Sequence, residues 1–189
     1  MPCTRLTGHL GTGVVLLIST MGLVAQEPDI DKQVNRNNLP VPCEKKQLFY
    51  LQRDPDENTV VYQLNLEDST VDADRPVNVY WIRYAEGGTR KNLSWVQRNL
   101  AYGISHRPLG NGEYELRLAA FRERPLRLSY CNKQQKHVVY VTINNRQAIL
   151  DRIFVRIDGG SVFKPNIDYI ELYGRDAQSL TQVTERIKP

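Results

Sequence analysis

Along most of this chain polar and apolar positions alternate with a period of two. In "HVVYVTI", His137, Val139, Val141 and Ile143 share one side while Val138, Tyr140 and Thr142 share the other. In "EYELRLAA", Tyr114, Leu116 and Leu118 oppose Glu113, Glu115 and Arg117; in "ILDRIFVRI", Ile149, Asp151, Ile153, Val155 and Ile157 oppose Leu150, Arg152, Phe154 and Arg156. Strands of this kind bury one side and wet the other, as antiparallel sheets do. Further β-branched and aromatic runs, "QLFYLQR", "NTVVYQLNL", "PVNVYWIRYA", "LRLSYC", "DYIELYG" and "TQVTERI", follow one another with turn residues between them. The pattern predicts a mainly β domain, an antiparallel β-sandwich or barrel of about eight to nine strands.

One stretch breaks the period. "NLSWVQRNLAYG" sets Leu93, Val96 and Leu100 at helical spacing, with Asn92 or Ser94 able to cap and Gly103 able to terminate. It predicts one short α-helix of about two to three turns, laid over an edge or mouth of the sheet.

"PVNVYWIRYAEGG" is apolar on both sides, Val77, Val79, Trp81 and Arg83 opposing Asn78, Tyr80, Ile82 and Tyr84. That suits a central strand covered twice, so its aromatic residues read mainly as core. Just beyond, "RYAEGGTRK" gathers Arg83, Tyr84, Glu86, Arg90 and Lys91 around a Gly-Gly turn, where the strand is expected to pass into the helix. Loops held by rigid strands are where binding residues concentrate, which makes Arg83, Tyr84, Glu86 and Arg90 candidate ligand contacts; a solvated turn is the plainer alternative.

The N-terminal region follows neither period. Residues 1–25 combine Arg5, a mostly apolar run from Gly13 to Val24, and a small residue at Ala25, the three parts of a secretory signal peptide. Gly13, Ser19, Thr20 and Gly22 interrupt the apolar run, which falls short of the roughly 20 residues a membrane-spanning helix requires. The expected location is therefore secreted or periplasmic, with no transmembrane segment after cleavage. Residues 26–46, with Pro28, Pro40 and Pro42, read as a flexible leader, and 47–189 as a single β-rich domain.

In that compartment Cys43 and Cys131 are expected to form a disulfide, which would restrict the unfolded chain by about 4 to 5 kcal/mol. Neither has a second Cys or a His at ligand spacing, so no metal site is expected, and no cofactor is implied. The net charge of +4 is small and spread along the chain, which gives no warrant for nucleic-acid binding.

"LFYLQRDPDENTVVYQLNL", "PVNVYWIRYAEGGTRKNLSWVQRNLAYG" and "DYIELYGRD" together resemble an uncharacterised family of exported bacterial proteins, a domain of unknown function common among the Bacteroidetes. The resemblance spans residues 47 to 189. It rests most on Gln52, Arg53, Asn58, Thr59, Tyr62, the "VYWIRY" block with Glu86, Gly87 and Gly88, and the "AYG" of Ala101 to Gly103. It implies export and the extent of the domain and carries over no catalytic residue.

Catalytic motifs are sparse. A serine or cysteine hydrolase needs a nucleophile, a histidine base and an orienting acid, and beyond residue 25 the histidines are His106 and His137. His137 begins a strand on an apolar side and reads as structural. His106, in "YGISHRP", is expected in a loop and is the histidine better placed for function. Asp54, Asp56 and Glu57 lie close together but lack the ligand spacing of a calcium-binding EF-hand, so "QRDPDENT" reads as a turn. "RIDGGSVF" lacks the Lys-Ser/Thr of a phosphate loop and reads likewise.

Arg117, Arg127, Arg152 and Arg156 occupy the polar sides of three strands, with Arg122 and Arg124 nearby. They would form a basic patch for anionic groups if those strands adjoin, or ordinary ion pairs with Glu113 and Glu115. The functional expectation is an exported non-catalytic β-domain that binds an envelope glycan or lipid, a small ligand or a protein partner. The alternatives are a hydrolase acting on such a glycan or lipid, and a structural envelope protein.

Overall fold

A computed structural model describes residues 39–54, 56–161 and 164–189. The expected signal peptide and most of the leader lie outside the described residues. The strands are β1 Gln47–Asp54, β2 Asp56–Leu64, β3 Leu66–Glu67, β4 Thr70–Val71, β5 Val77–Arg83, β6 Thr89–Asn92, β7 Ile104–Gly110 and β8 Glu113–Leu118. They continue with β9 Phe121–Cys131, β10 Lys136–Ile143, β11 Arg146–Gly160, β12 Pro165–Asp176 and β13 Gln182–Ile187. A 3-10 turn, Tyr84–Glu86, follows β5, and a second helical segment starts as α1, Trp95–Gln97, and widens into a π turn over Arg98–Tyr102.

Nine strands run in the order β6-β5-β2-β1-β11-β10-β9-β8-β7, while β12 and then β13 extend from the other side of β11. The hub is β11, 15 residues long. Along one edge it pairs with β12 from Ala148 to Gly160. Along the other it pairs antiparallel with β10 at residues 146–149, then parallel with β1 at residues 152–156. A bulge between Leu150 and Arg152 marks the hand-over; bulges increase local twist and bend a strand. Two four-stranded wings thus leave the same edge of one strand, and the sheet curls into a half-barrel.

The expectation of a purely antiparallel sandwich or barrel is corrected here. The sheet is mixed, because β1 is parallel to β11, and it holds eleven strands. The two beyond the expected number are polar edges. β6, "TRKN", is exposed throughout and carries no alternation to read. β7, "ISHRPLG", contains Pro108, which an edge strand tolerates because its outer side needs no ladder partner. Accordingly the Gly-Gly turn joins β5 to β6 rather than to the helix, with Gly87 and Gly88 at φ of 72° and 76°.

The inner sides of both wings share one core. Phe49, Leu51, Val60, Tyr62, Val79 and Trp81 come from one wing, and Leu116, Leu128, Val139 and Val141 from the other. Leu150, Ile153, Ile170 and Leu172 of β11 and β12 complete it. β5 is covered on its second side as well, where Tyr80 and Ile82 pack with Val61 and partly buried Tyr84. The segment just before β1 lies on this second side: the Pro40 carbonyl accepts a hydrogen bond from Gln52 Nε2 at 2.7 Å, and the Lys45 carbonyl accepts one from Gln63 Nε2 at 2.5 Å.

The helix starts where expected. Ser94 Oγ accepts from the Gln97 backbone N–H at 3.3 Å while the Gln97 side chain accepts from the Ser94 N–H at 2.9 Å, a reciprocal capping box. It stops at Gly103, where a Cβ would come within 1.8 Å of the Arg98 carbonyl oxygen. Its expected apolar stripe is only partly buried, Leu93 being covered and Leu100 58 % exposed.

Candidate ligand-binding site

Where the helix crosses the half-barrel, the core does not fill the space. A cavity of about 510 Å³ remains between the ends of β1, β11 and β12 and the helix. That volume falls in the range of small-molecule pockets. Its walls are apolar: Leu51 and Ile153, Val155 and Ile157 from the sheet, Val96, Leu100 and Ala101 from the helix, Phe121 from β9, Ile167 and Ile170 from β12. Leu51, Ile153 and Ile170 also belong to the core, so one side of the cavity is core surface.

The polar groups are concentrated at the β1–β2 turn, where Arg53, Asp54 and Asp56 line the cavity. Arg53 Nη2 donates to Asp56 Oδ2 at 3.0 Å. Asp56 is itself fixed, because its Oδ1 accepts the Asn58 backbone N–H at 2.8 Å in an Asx turn. The Arg53 guanidinium lies 5.6 Å from the Trp81 ring centre and 5.9 Å from that of Tyr102, within cation–π range of both. Those rings meet edge to face at 5.0 Å, and Tyr62 donates its hydroxyl to the Tyr102 carbonyl at 2.8 Å. Burial pushes the Tyr102 hydroxyl above its ordinary pKa, with the Arg53 charge opposing that rise.

Asp54 sits beside this cluster and is 2 % exposed. The parallel register sets it opposite Arg156, whose guanidinium forms an ion pair with its Oδ2. Asp54 Oδ1 and Arg53 Nε are buried and have no hydrogen-bond partner. Orphaned buried donors and acceptors are uncommon and costly. Arg53 shares the side of β1 that carries Leu51 to the cavity, while alternation turns Asp54 and its partner Arg156 to the other side of the sheet.

The residues expected to contact a ligand do not line this cavity. Arg83, Tyr84, Glu86 and Arg90 do come together at the β5–β6 hairpin, where Glu86 pairs with Arg83 and with Lys91, Arg90 pairs with Glu44, and Tyr84 packs on Tyr80 and Ile82. His106 is not in a loop but on edge strand β7, its ring 6.1 Å from that of Tyr114. The proposed basic patch is divided. Arg117 and Arg107 bond Glu115 and Arg127 bonds Glu113, on strands β7 to β9. Arg152, on β11, lies over the Phe154 and Tyr173 rings at 5.3 and 5.1 Å, and Arg156 is held by Asp54. β10 separates β8 and β9 from β11, and with them the two pairs of arginines.

The expected disulfide is also corrected. Cys43 and Cys131 are both free thiols, the first exposed and the second buried. Cys131 packs with Val138 and Ile149 on the outside of the β9–β11 wing. Cys43 belongs to the segment that lies along β1, β2 and β5. The two thus sit on different wings.

In the sequence "QRDPDENT" reads only as a turn, and Arg53, which the structure places at the cavity, is not singled out. A signal was available: Gln52, Arg53, Asn58, Thr59, Tyr62, Trp81 and the Tyr of "AYG" are the residues that carry the family resemblance, and most of them now prove to be joined. Gln52 Nε2 donates to Thr59 Oγ1 at 3.1 Å, and Asn58 Oδ1 accepts the Ala85 backbone N–H at 3.4 Å.

Among the described residues no group of His, Cys, Asp and Glu is arranged to hold a metal ion, and no helix is long and apolar enough to cross a membrane. In comparisons with known proteins, the model of one family, described as a domain of unknown function (DUF4833), matches residues 49–186. No curated protein and no solved structure matches the chain.

Proposed function

We propose that this chain, which belongs to the DUF4833 family of domains of unknown function, is an exported, non-catalytic binding domain for an amphipathic molecule of the bacterial envelope. The apolar body of the ligand occupies the cavity beneath the helix, and its polar head meets Arg53 and Asp56. The observation that carries this reading is the pairing of an apolar cavity of about 510 Å³ with one orphaned polar atom at its wall, Arg53 Nε. A hydroxyl or amide head can accept from Arg53 Nε and remove its desolvation penalty. Export rests on the apolar run and small residue within positions 1–25 and on the resemblance to exported Bacteroidetes proteins.

The test is native mass spectrometry of the protein purified from its own host, followed by titration with a long-chain alcohol such as dodecanol. A bound molecule with an alkyl body and a hydroxyl or amide head is the expected result. Ala101 lines the cavity, so Ala101→Trp should fill it and abolish binding while the far-ultraviolet circular dichroism is retained. The reading fails if the purified protein is empty and the alcohol binds the Trp variant as well as the parent.

A further inference from the structure

A second pocket lies on the other side of the helix and has the opposite chemistry. β6 ends at Asn92, opposite Tyr80, so the edge of β5 at residues 77–79 runs on without a neighbouring strand. The recess left there has a volume of about 350 Å³. Four cationic side chains line it: Arg75 from the loop before β5, Arg90 and Lys91 from β6, and Arg98 from the helix. Gln63, Asn78 and Asn92 add amide groups.

Carboxylates pair with only some of these side chains: Asp72, in the loop with Arg75, accepts the Arg75 backbone N–H at 3.0 Å and forms no ion pair with the four cations among the described residues. Glu44 pairs with Arg90, and Glu86 with Lys91. The guanidiniums of Arg75 and Arg98 have no ion-pair partner among the described residues, and both side chains are exposed. Like charges brought to one recess repel each other, so an arrangement of this kind gains most from an anion that bridges them. Planar guanidiniums from different elements match the several oxygens of a phosphoryl group, which accept charge-assisted hydrogen bonds from more than one side.

We propose that the recess between β5, β6 and the helix is a binding site for a phosphoryl group, with Arg75 and Arg98 as its principal ligands and Arg90, Lys91, Asn78 and Asn92 around them. The site does not depend on the apolar cavity. Its phosphate is either that of a soluble phosphate ester or that of a phospholipid headgroup.

The experiment is a titration of the full chain with inorganic pyrophosphate at physiological ionic strength, followed by NMR of the arginine Nε–H and asparagine side-chain signals. A parallel arm measures co-sedimentation with phosphatidylglycerol vesicles. Saturable shifts at Arg75, Arg98, Asn78 and Asn92 are expected. Arg75→Gln and Arg98→Gln should each weaken binding about tenfold, the scale of one lost charge-assisted bond. Arg122→Gln, an exposed arginine on β9, should leave binding unchanged. Pyrophosphate binding without vesicle binding identifies a soluble phosphate ester; vesicle binding that needs the same two arginines identifies a headgroup. Shifts that never saturate in either arm, or an Arg122→Gln effect as large as the others, would overturn the site. Thermal denaturation of each variant shows that the fold is intact, and both arginines are exposed enough for it to remain so.

Discussion

Arg53 and Trp81 are 28 positions apart in sequence, and the guanidinium of the first stands 5.6 Å from the ring centre of the second. The contact joins the end of β1 to the centre of β5, across the intervening β2. It keeps the charged head of Arg53 against an aromatic wall instead of letting it extend into water. Arg53→Lys retains the charge but loses the planar group that can lie on the ring and bond Asp56 together. It should weaken binding of the alcohol probe about tenfold and lower stability by about 1 kcal/mol, read from urea denaturation. A Lys variant equal to the parent in both would show that Arg53 is a solvated rim charge.

The Asp54–Arg156 pair predicts a non-additive result. Asp54 is almost fully buried, so Arg156→Met leaves a carboxylate without its counter-charge and should cost about 3 kcal/mol. Asp54→Leu strands only the partly exposed guanidinium and should cost less. The double variant should recover most of the loss of Arg156→Met. Urea denaturation of the four proteins gives the coupling, and additive losses would mean that the pair does not act as a unit.

Glu185 supplies a pH dependence. Arg124 holds it through two hydrogen bonds, at 2.6 and 3.1 Å, which lowers its carboxyl below the ordinary value of 4.5 despite partial burial. A carboxyl depressed in the folded state contributes stability above its unfolded pKa, and that contribution is lost as pH falls through the lower folded value. The urea midpoint should therefore fall as pH is taken down from 4.5. Arg124→Gln should flatten that fall. Glu113 and Glu115 are shifted in the same direction, the first by hydrogen bonds from Ser129 and Arg127 and the second by those from Arg117 and Arg107, so part of the slope survives. A variant with the parent's slope would remove Glu185 as a contributor.

The cysteines give a chemical readout. With Cys43 exposed and Cys131 buried, a thiol reagent should label Cys43 in the native protein and Cys131 only after unfolding. Neither thiol should need prior reduction. Failure to label either one until a reductant is added would mean that the two are bridged to each other or to other thiols.

How far the sequence could be read depended on what each side chain packs against. The nine β-branched or aromatic runs are all strands, because alternation records directly which side meets the core, as with Tyr114, Leu116 and Leu118 on β8. The two-sided burial of β5 was legible for the same reason. Edge strands β6 and β7 were not, since a strand exposed on both sides has no alternation to record. The parallel β1–β11 pairing was hidden as well: it is set by how the long β11 divides its edge between two partners, and neither strand's own pattern contains that. The Asp54–Arg156 pair depends on that division, because the two residues meet only through the parallel register. Ion-pair choices stayed ambiguous from sequence, with Glu113 and Glu115 competing against a patch, until strand order placed β10 between the arginines.

The single parallel ladder also governs the order in which the domain can come together. Tyr50 lies opposite Arg152, a separation of about a hundred residues that makes this one of the slow, non-local contacts of the fold. Until β11 exists, the β1–β2–β5–β6 wing is a sheet with an open inner edge and an uncovered apolar side. A chain interrupted before residue 152 therefore has both wings in its sequence and nothing to hinge them on.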